Sequence, residues 1–380
     1  MNVQRVLKTV LFTPGPRGFW GLPMLIEGAP GSAKSSIVEQ VGHETGLYTR
    51  VVIASIREPA DFSGLPIPQE DHVASMPVEW AHTLAKKGRG IAFLDELNTA
   101  PEAVQAALLR VVLDRAVGDL QMPKGVRILA AQNSVEEAAG GHDLSAPLAN
   151  RFLHWTWDAP SVQDWSAYVL GGFGEDDTET LDAEKVEAQV LRDFPTPLAK
   201  AKGLVTGFLN KRQALIHAQP KPGDPAASKA WPSRRTWEMA IRAIAGAETH
   251  GLGPVESEML VAGCVGEGAA AELTAYQATA ELPDPADLLD GKIKWKPDAR
   301  LDRTLAVYSS CAALVAPNDA VKRADRSEML WTLLGEVAKD AADVAIPAMR
   351  ALVRAKLSGT KTAKTAMLGL ADVFRATGSL

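Results

Sequence analysis

The chain has 380 residues, more than one hydrophobic core usually serves, so at least two domains are expected. With 46% hydrophobic and 23% charged residues it has the composition of an ordinary folded protein, which excludes a disordered or fibrous chain. Lys+Arg of 40 against Asp+Glu of 46 gives −6 at neutral pH, so there is no overall basic field to hold a phosphate backbone, which argues against a nucleic-acid partner.

Residues 1–13 carry Arg5 and Lys8 within an amphipathic pattern of Val3, Val6, Leu7, Val10 and Leu11. A secretory leader would need a continuous apolar core and a small-residue cleavage site, and neither is present. No apolar run approaches the roughly 18 residues of a membrane span. The expected location is the cytoplasm. Cys264 and Cys311 are too few for a disulfide framework or a four-cysteine zinc site and read as buried small apolar residues.

From residue 23 to 157 short apolar runs alternate with helical patterns, as in a parallel sheet with crossover helices. Strands are predicted at 24–27, 50–55, 90–94, 126–131 and 153–157. After Pro160 helical periodicity takes over, broken at 171–177, 219–227 and 282–285. The fold class is therefore α/β, an αβα sandwich over residues 1–159. An α-helical lid is placed at 160–251 and an α-helical C-terminal extension at 252–380.

The first strand runs into Gly28, Ala29, Pro30, Gly31, Ser32, Ala33, Lys34, Ser35 and Ser36, and a helical pattern follows. Strand, Gly-rich loop and helix together are the context of a phosphate-binding loop. Backbone N–H groups and the helix N-terminus face the phosphates, Lys34 adds a positive charge, and Ser35 offers a hydroxyl to Mg²⁺. Ala33 stands where GxxxxGK[ST] has glycine, a change that matters only if the position needs a positive φ.

The third strand ends in Leu94, Asp95 and Glu96. Asp95 suits the metal's coordination sphere, and Glu96, one residue on and pointing elsewhere, suits an attacking water. The fourth strand ends in Gln132, Asn133 and Ser134, where Asn133 fits a group that hydrogen-bonds the water or the γ-phosphate. Arg151, in Asn150-Arg151-Phe152, can reach a γ-phosphate held by a neighbouring subunit. Pro232, Ser233, Arg234, Arg235, Thr236 and Trp237 open a helix, with Ser233 as N-cap and one of the arginines placed to touch the nucleotide in cis.

This series resembles a P-loop ATPase of the AAA+ class, and its details resemble the MoxR family. That family shares the GAPGxAKS-type loop, a segment similar to Glu58-Pro59-Ala60-Asp61-Phe62-Ser63-Gly64-Leu65-Pro66, an LDEIN[RK]A stretch similar to residues 94–100, and an S-P-R-[ST] motif similar to residues 232–237. Thr99 stands where the family has a basic residue, and Arg234 where it often has proline. By that likeness Arg235 is the sensor 2 arginine.

The resemblance covers residues 23–244. It implies ATP and Mg²⁺ as ligands, a hexameric ring, and the remodelling of a protein client that frequently carries a von Willebrand A domain. It also implies pore-facing inserts at 69–77 and 115–125. Two other classes stay open: a nucleotide-gated scaffold with negligible hydrolysis, and a motor on nucleic acid.

Overall fold

The computed structural model describes residues 3–133, 143–158, 162, 163, 166, 170, 180–221, 223–297 and 299–368. Ser134 and the predicted break at 171–177 lie outside the described residues. The described residues form two compact units, one from Met1–Arg192 with His217–Ala270, the other from Asp193–Ile216 with Ala271–Leu380.

The first unit is built on a five-stranded parallel sheet. Its strands are β1 (Met24–Glu27), β2 (Thr49–Ile53), β5 (Arg89–Asp95), β8 (Gly125–Gln132) and β9 (Leu153–Thr156), in the order β2-β5-β8-β1-β9. β5 and β8 are buried along almost their whole length, as near-continuous apolar runs covered on both faces should be. All five predicted strands are present, with ends that differ by one or two residues.

Register places Glu27 beside Gln132 and Leu94 beside Ala130. Consequently the C-terminal ends of β1, β8 and β5 lie side by side, the edge where parallel α/β sheets bind ligands.

The flanking helices are α1 (Val3–Phe12), α2 (Lys34–Glu44), α3 (Ala60–Ser63), α4 (Glu79–Lys87), α5 (Glu102–Asp114), α6 (Ala146–Ala149) and α7 (Ala183–Asp193). Leu25, Val52, Leu94 and Ile128 of the sheet join Trp80, Leu84, Val104 and Leu108 of α4 and α5 in one buried cluster. In α1 the apolar stripe read from the sequence is buried from Val6 to Phe12.

Two hairpins leave this core. β3 (Leu65–Pro68) pairs with β4 (Val73–Met76), and β6 (Ala116–Val117) with β7 (Leu120–Gln121). They are joined by Asp119, whose carboxylate accepts from the Ser75 amide at 2.7 Å and whose amide donates to the Ser75 carbonyl at 2.8 Å. Gly118 is required at this contact, since a Cβ there would lie 2.2 Å from the Ser75 carbonyl oxygen.

A buried ion pair fastens the far side of the sheet. Arg127 on β8 has no exposed surface and pairs with Glu187 of α7. Arg89 adds a second contact to Glu187 at 3.2 Å, and the Arg127 guanidinium lies over the rings of Phe12 and Trp20. Burial pulls the Arg127 guanidinium below its ordinary range, and Glu187 pulls it back.

The first unit closes with helices α9 (Arg234–Thr249) and α10 (Pro254–Val265). Ser233 caps α9 in a reciprocal capping box with Thr236, as its position before the helix implied.

The second unit is helical: α8 (Pro195–Lys211), most of α11 (Glu267–Ala280), α12 (Pro285–Leu289), α13 (Leu301–Val315), α14 (Arg323–Val337), α15 (Ala342–Arg354) and α16 (Lys361–Leu368). Its core gathers Leu305, Tyr308, Leu330, Trp331, Leu334 and Met349. The expected boundaries at 160 and 252 mark changes of sequence pattern, whereas packing groups residues 193–216 with the C-terminal helices. Both cysteines are free and buried, as their surroundings implied. Among the described residues no helix is long and apolar enough to cross a membrane.

Candidate active site

Three adjacent strand ends build the site. β1 runs into the loop 28–33, and α2 starts at Lys34. Gly31 has φ 72°, and a Cβ added there would meet no atom within 4 Å, so backbone conformation, not space, requires glycine. Gly28 is the reverse case: a Cβ would lie 2.9 Å from both the Cβ and the carbonyl oxygen of Trp157. Trp157 donates its ring N–H to the Ser32 carbonyl at 3.0 Å and its amide to Glu27 at 2.6 Å, which clamps the loop from the side. The sequence marked Trp157 only as the end of a strand.

Ala33 has φ 65° and ψ 22°, so the position does need the left-handed conformation. The substitution is therefore strained, by about 1 kcal/mol for a residue with a Cβ. Ala33→Gly is expected to raise stability by less than about 1 kcal/mol, because glycine's extra freedom in the unfolded chain offsets part of the relief. Thermal denaturation checks this, and a lower Tm in the variant would contradict it. Ala33 also brings no capping side chain, which leaves the first amides of α2 for an anion.

Lys34 is buried, and its Nζ donates to the carbonyls of Gly28 and Ala29 at 2.7 and 2.8 Å and to Asn133 Oδ1 at 3.1 Å. Ser35 donates to Asp95 Oδ2 at 2.7 Å. A hydroxyl and a carboxylate brought together at a phosphate loop are the hard oxygen donors that fit Mg²⁺, which keeps several waters and takes its remaining ligands from a substrate's phosphates.

Glu96 sits at φ 56°, left-handed and uncommon for a non-glycine residue, and its amide donates to Asp95 Oδ1 at 2.9 Å. Ser55, just past the end of β2, donates its hydroxyl to Glu96 Oε2. Asn98 donates from Nδ2 to the Asn133 carbonyl at 2.8 Å and ties the ends of β5 and β8 together. Ser55 and Asn98 were not singled out in the sequence. The sheet order that puts β2 beside β5 is what makes Ser55 visible.

Arg151 and Arg235 meet elsewhere in the same unit. Both line a cavity of about 380 Å³ to which none of residues 28–36, Asp95 or Glu96 contributes. They are brought together because Asn150 accepts from the Ser233 hydroxyl at 2.8 Å and donates to the Trp231 carbonyl at 3.3 Å, which docks the start of α9 on the turn before β9. Burial, and next the charge of Arg235, hold the half-buried Arg151 guanidinium below its ordinary range, while Asp114 opposes them. Arg234 is exposed.

A parallel αβα core with a phosphate loop after β1, a carboxylate pair after β5, an asparagine after β8 and an arginine before β9 defines a P-loop NTPase of the AAA+ class. Residues 23–154 match the family model described as ATPase family associated with various cellular activities (AAA). Chaperone MoxR1 of Mycobacterium tuberculosis is 30% identical over 135 residues, covering 34% of this chain and 34% of that protein. Midasin of Giardia intestinalis is 26% identical over 168 residues, covering 42% of this chain and 3% of that protein.

Residues 23–154 are thus similar to the AAA+ ATPases of the MoxR type. The chain spans about a third of the length of chaperone MoxR1 and a small fraction of Midasin. Among solved structures, a Cytophaga hutchinsonii protein overlaps with a TM-score of 0.45 at 16% identity, over 69% of this chain and 80% of that one. A full-length MCM homolog from Methanopyrus kandleri overlaps with a TM-score of 0.41 at 19% identity, over 71% of this chain and 54% of that one.

Proposed function

We propose that the chain binds ATP with Mg²⁺ at residues 28–36, hydrolyses it within a ring of its own copies, and uses the cycle to remodel or activate a protein client. The observation that carries this reading is the convergence of Lys34 on Asn133 and of Ser35 on Asp95, with Glu96 held apart from both. A module that only bound nucleotide would need no acidic group kept free of the metal pair.

In this reading the loop amides and Lys34 hold the phosphates, and Ser35 with Asp95 holds the cation, which supplies charge neutralisation at the phosphates. Glu96 orients and polarises the attacking water, and Asn133 fixes its position. Arg151 reaches the γ-phosphate of a neighbouring copy, which ties turnover to assembly. Arg235 lines the same cavity as Arg151, which supports a role for it beside Arg151 as well as the cis role its motif implies.

The exposed Leu65, Ile67, Val73 and Met76 of the first hairpin are the apolar surface offered to a client. A hexameric ring and a client with a von Willebrand A domain rest on the MoxR likeness alone.

A second reading, the nucleotide-gated scaffold, draws on the Ser55 contact, which engages the Glu96 carboxylate. The test is ATPase rate against protein concentration, with particle mass recorded at each point. Specific activity that rises as rings form supports the remodeller. Rings that assemble with ATP and never turn over support the scaffold.

A further inference from the structure

The phosphate loop keeps its shape through donors to its carbonyls. Ala29 accepts from the Ser32 hydroxyl at 2.7 Å and from Lys34 Nζ at 2.8 Å, and Gly28 accepts from Lys34 Nζ at 2.7 Å. The Ser32 carbonyl accepts from the indole N–H of Trp157 at 3.0 Å. In the proposed function Lys34 serves the phosphates, which draws it away from these carbonyls. Trp157 has no such second task.

Ser32 stands between two left-handed residues, Gly31 at φ 72° and Ala33 at φ 65°. Glycine takes this conformation freely, whereas alanine is strained in it. The peptide bond between Ser32 and Ala33 is trans, so its carbonyl and its N–H point in opposite directions. Holding the carbonyl toward Trp157 therefore aims the Ala33 N–H to the other side. Without that donor the peptide is free to rotate, and rotation relieves the strain at Ala33.

Trp157 is itself firmly placed. Its amide donates to the Glu27 carbonyl at 2.6 Å, continuing the register of β1 and β9 that sets Glu27 beside Thr156. Gly28 leaves it room, since a Cβ there would lie 2.9 Å from the Trp157 Cβ. Trp157 is 4% exposed, so its bond to Ser32 is shielded from water.

We propose that Trp157 is a positioning residue for ATP binding: it holds the peptide between Ser32 and Ala33 in the orientation that turns the amide to the phosphates, and it offsets the strain of alanine at position 33. The inference rests on the reading of residues 28–36 as the nucleotide site. Trp157 acts through the loop and touches none of the reacting atoms.

The test is a cycle of four chains: wild type, Trp157→Phe, Ala33→Gly and the double variant. Equilibrium binding of a fluorescent ATP analogue, turnover at saturating ATP and Tm are measured for each. Phenylalanine keeps a ring against Gly28 and removes the N–H. Trp157→Phe is expected to weaken binding about fivefold to tenfold, the scale of one buried carbonyl left without a donor. Its kcat should stay within about twofold of wild type, because the loss lies in binding and not in the transition state alone. Against the Ala33→Gly chain, adding Trp157→Phe should cost less than about twofold, because glycine takes the left-handed conformation without help.

An aromatic that only fills the core would lower Tm and lose affinity equally in both backgrounds. That outcome overturns the proposal, as does a Trp157→Phe chain that binds as tightly as wild type. A wild-type chain that binds no nucleotide would sink the nucleotide site, and the role of Trp157 with it. The expected pattern of binding with no turnover in any chain would sink the hydrolytic function and leave the role of Trp157 standing.

Discussion

Glu96→Gln is expected to lower ATP turnover by about 10²–10⁴-fold, the usual contribution of a positioned general base, while ATP affinity stays within a few-fold of wild type. The prediction follows from the separation of roles at the end of β5. Asp95 is committed to Ser35, at 2.7 Å, and in the proposed function holds the cation with it. Glu96, in its left-handed turn, makes its side-chain contact with Ser55 and is free of the phosphate loop.

Amide for carboxylate keeps shape and the hydrogen bond to Ser55 but removes the group that polarises water. Single-turnover hydrolysis and equilibrium binding of a fluorescent ATP analogue measure the two quantities independently. Equal turnover in Glu96→Gln and wild type would show that another residue carries the chemistry. Lost binding would mean that the carboxylate belongs to the nucleotide or metal site instead.

The largest stability effect should come from Glu187→Ala. It strands Arg127, which has no exposed surface, in the wall of the sheet. Removing one partner of a buried ion pair costs about 3–5 kcal/mol, because the remaining charge stays desolvated. In a folded unit of this size that lowers Tm by roughly 10 °C.

A double variant, Arg127→Met with Glu187→Leu, should recover most of the loss, since the unpaired charge and not the missing bond causes it. Calorimetric melting of the three chains decides the matter. A single variant that melts no lower than the double would show that water reaches Arg127 and that the pair is not buried in solution.

The phosphate loop was legible because its parts are contiguous. One stretch of nine residues holds the turn glycines, the lysine and the serine, and the strand before it and the helix after it are patterned at their own periods. The acidic strand end and Asn133 were legible for a related reason: each terminates a near-continuous apolar run, and parallel strands end on the same edge of a sheet.

Ser55, Asn98 and Trp157 were not. Each acquires its place from a residue at least 35 positions away. The conformation of position 33 could not be read either, because alanine is compatible with both helical hands at different cost and only the folded loop selects one.

The division of the helical half shows the same limit. Helical periodicity after Pro160 says that helices form, not which pack together. Gly203 and Gly207 of α8 decide it: a Cβ at Gly203 would lie 1.8 Å from Ser310 Oγ, and one at Gly207 would lie 2.7 Å from the Ala306 Cβ, both on α13. Two side-chain-free positions one turn apart let these helices approach closely, and this draws residues 193–216 to the C-terminal helices. In the sequence the same glycines look like weak points in a helix.

By itself, then, the sequence determined the αβα class, the order of the strands along the chain, the phosphate loop and the acidic pair, because local periodicity and contiguous motifs carry them. Tertiary structure alone decided that β8 lies between β1 and β5, that Ser55 meets Glu96, that Arg235 shares a cavity with Arg151, and that α8 joins α13. These depend on which surfaces exclude water from one another, a property of packed pairs of elements and not of any single segment.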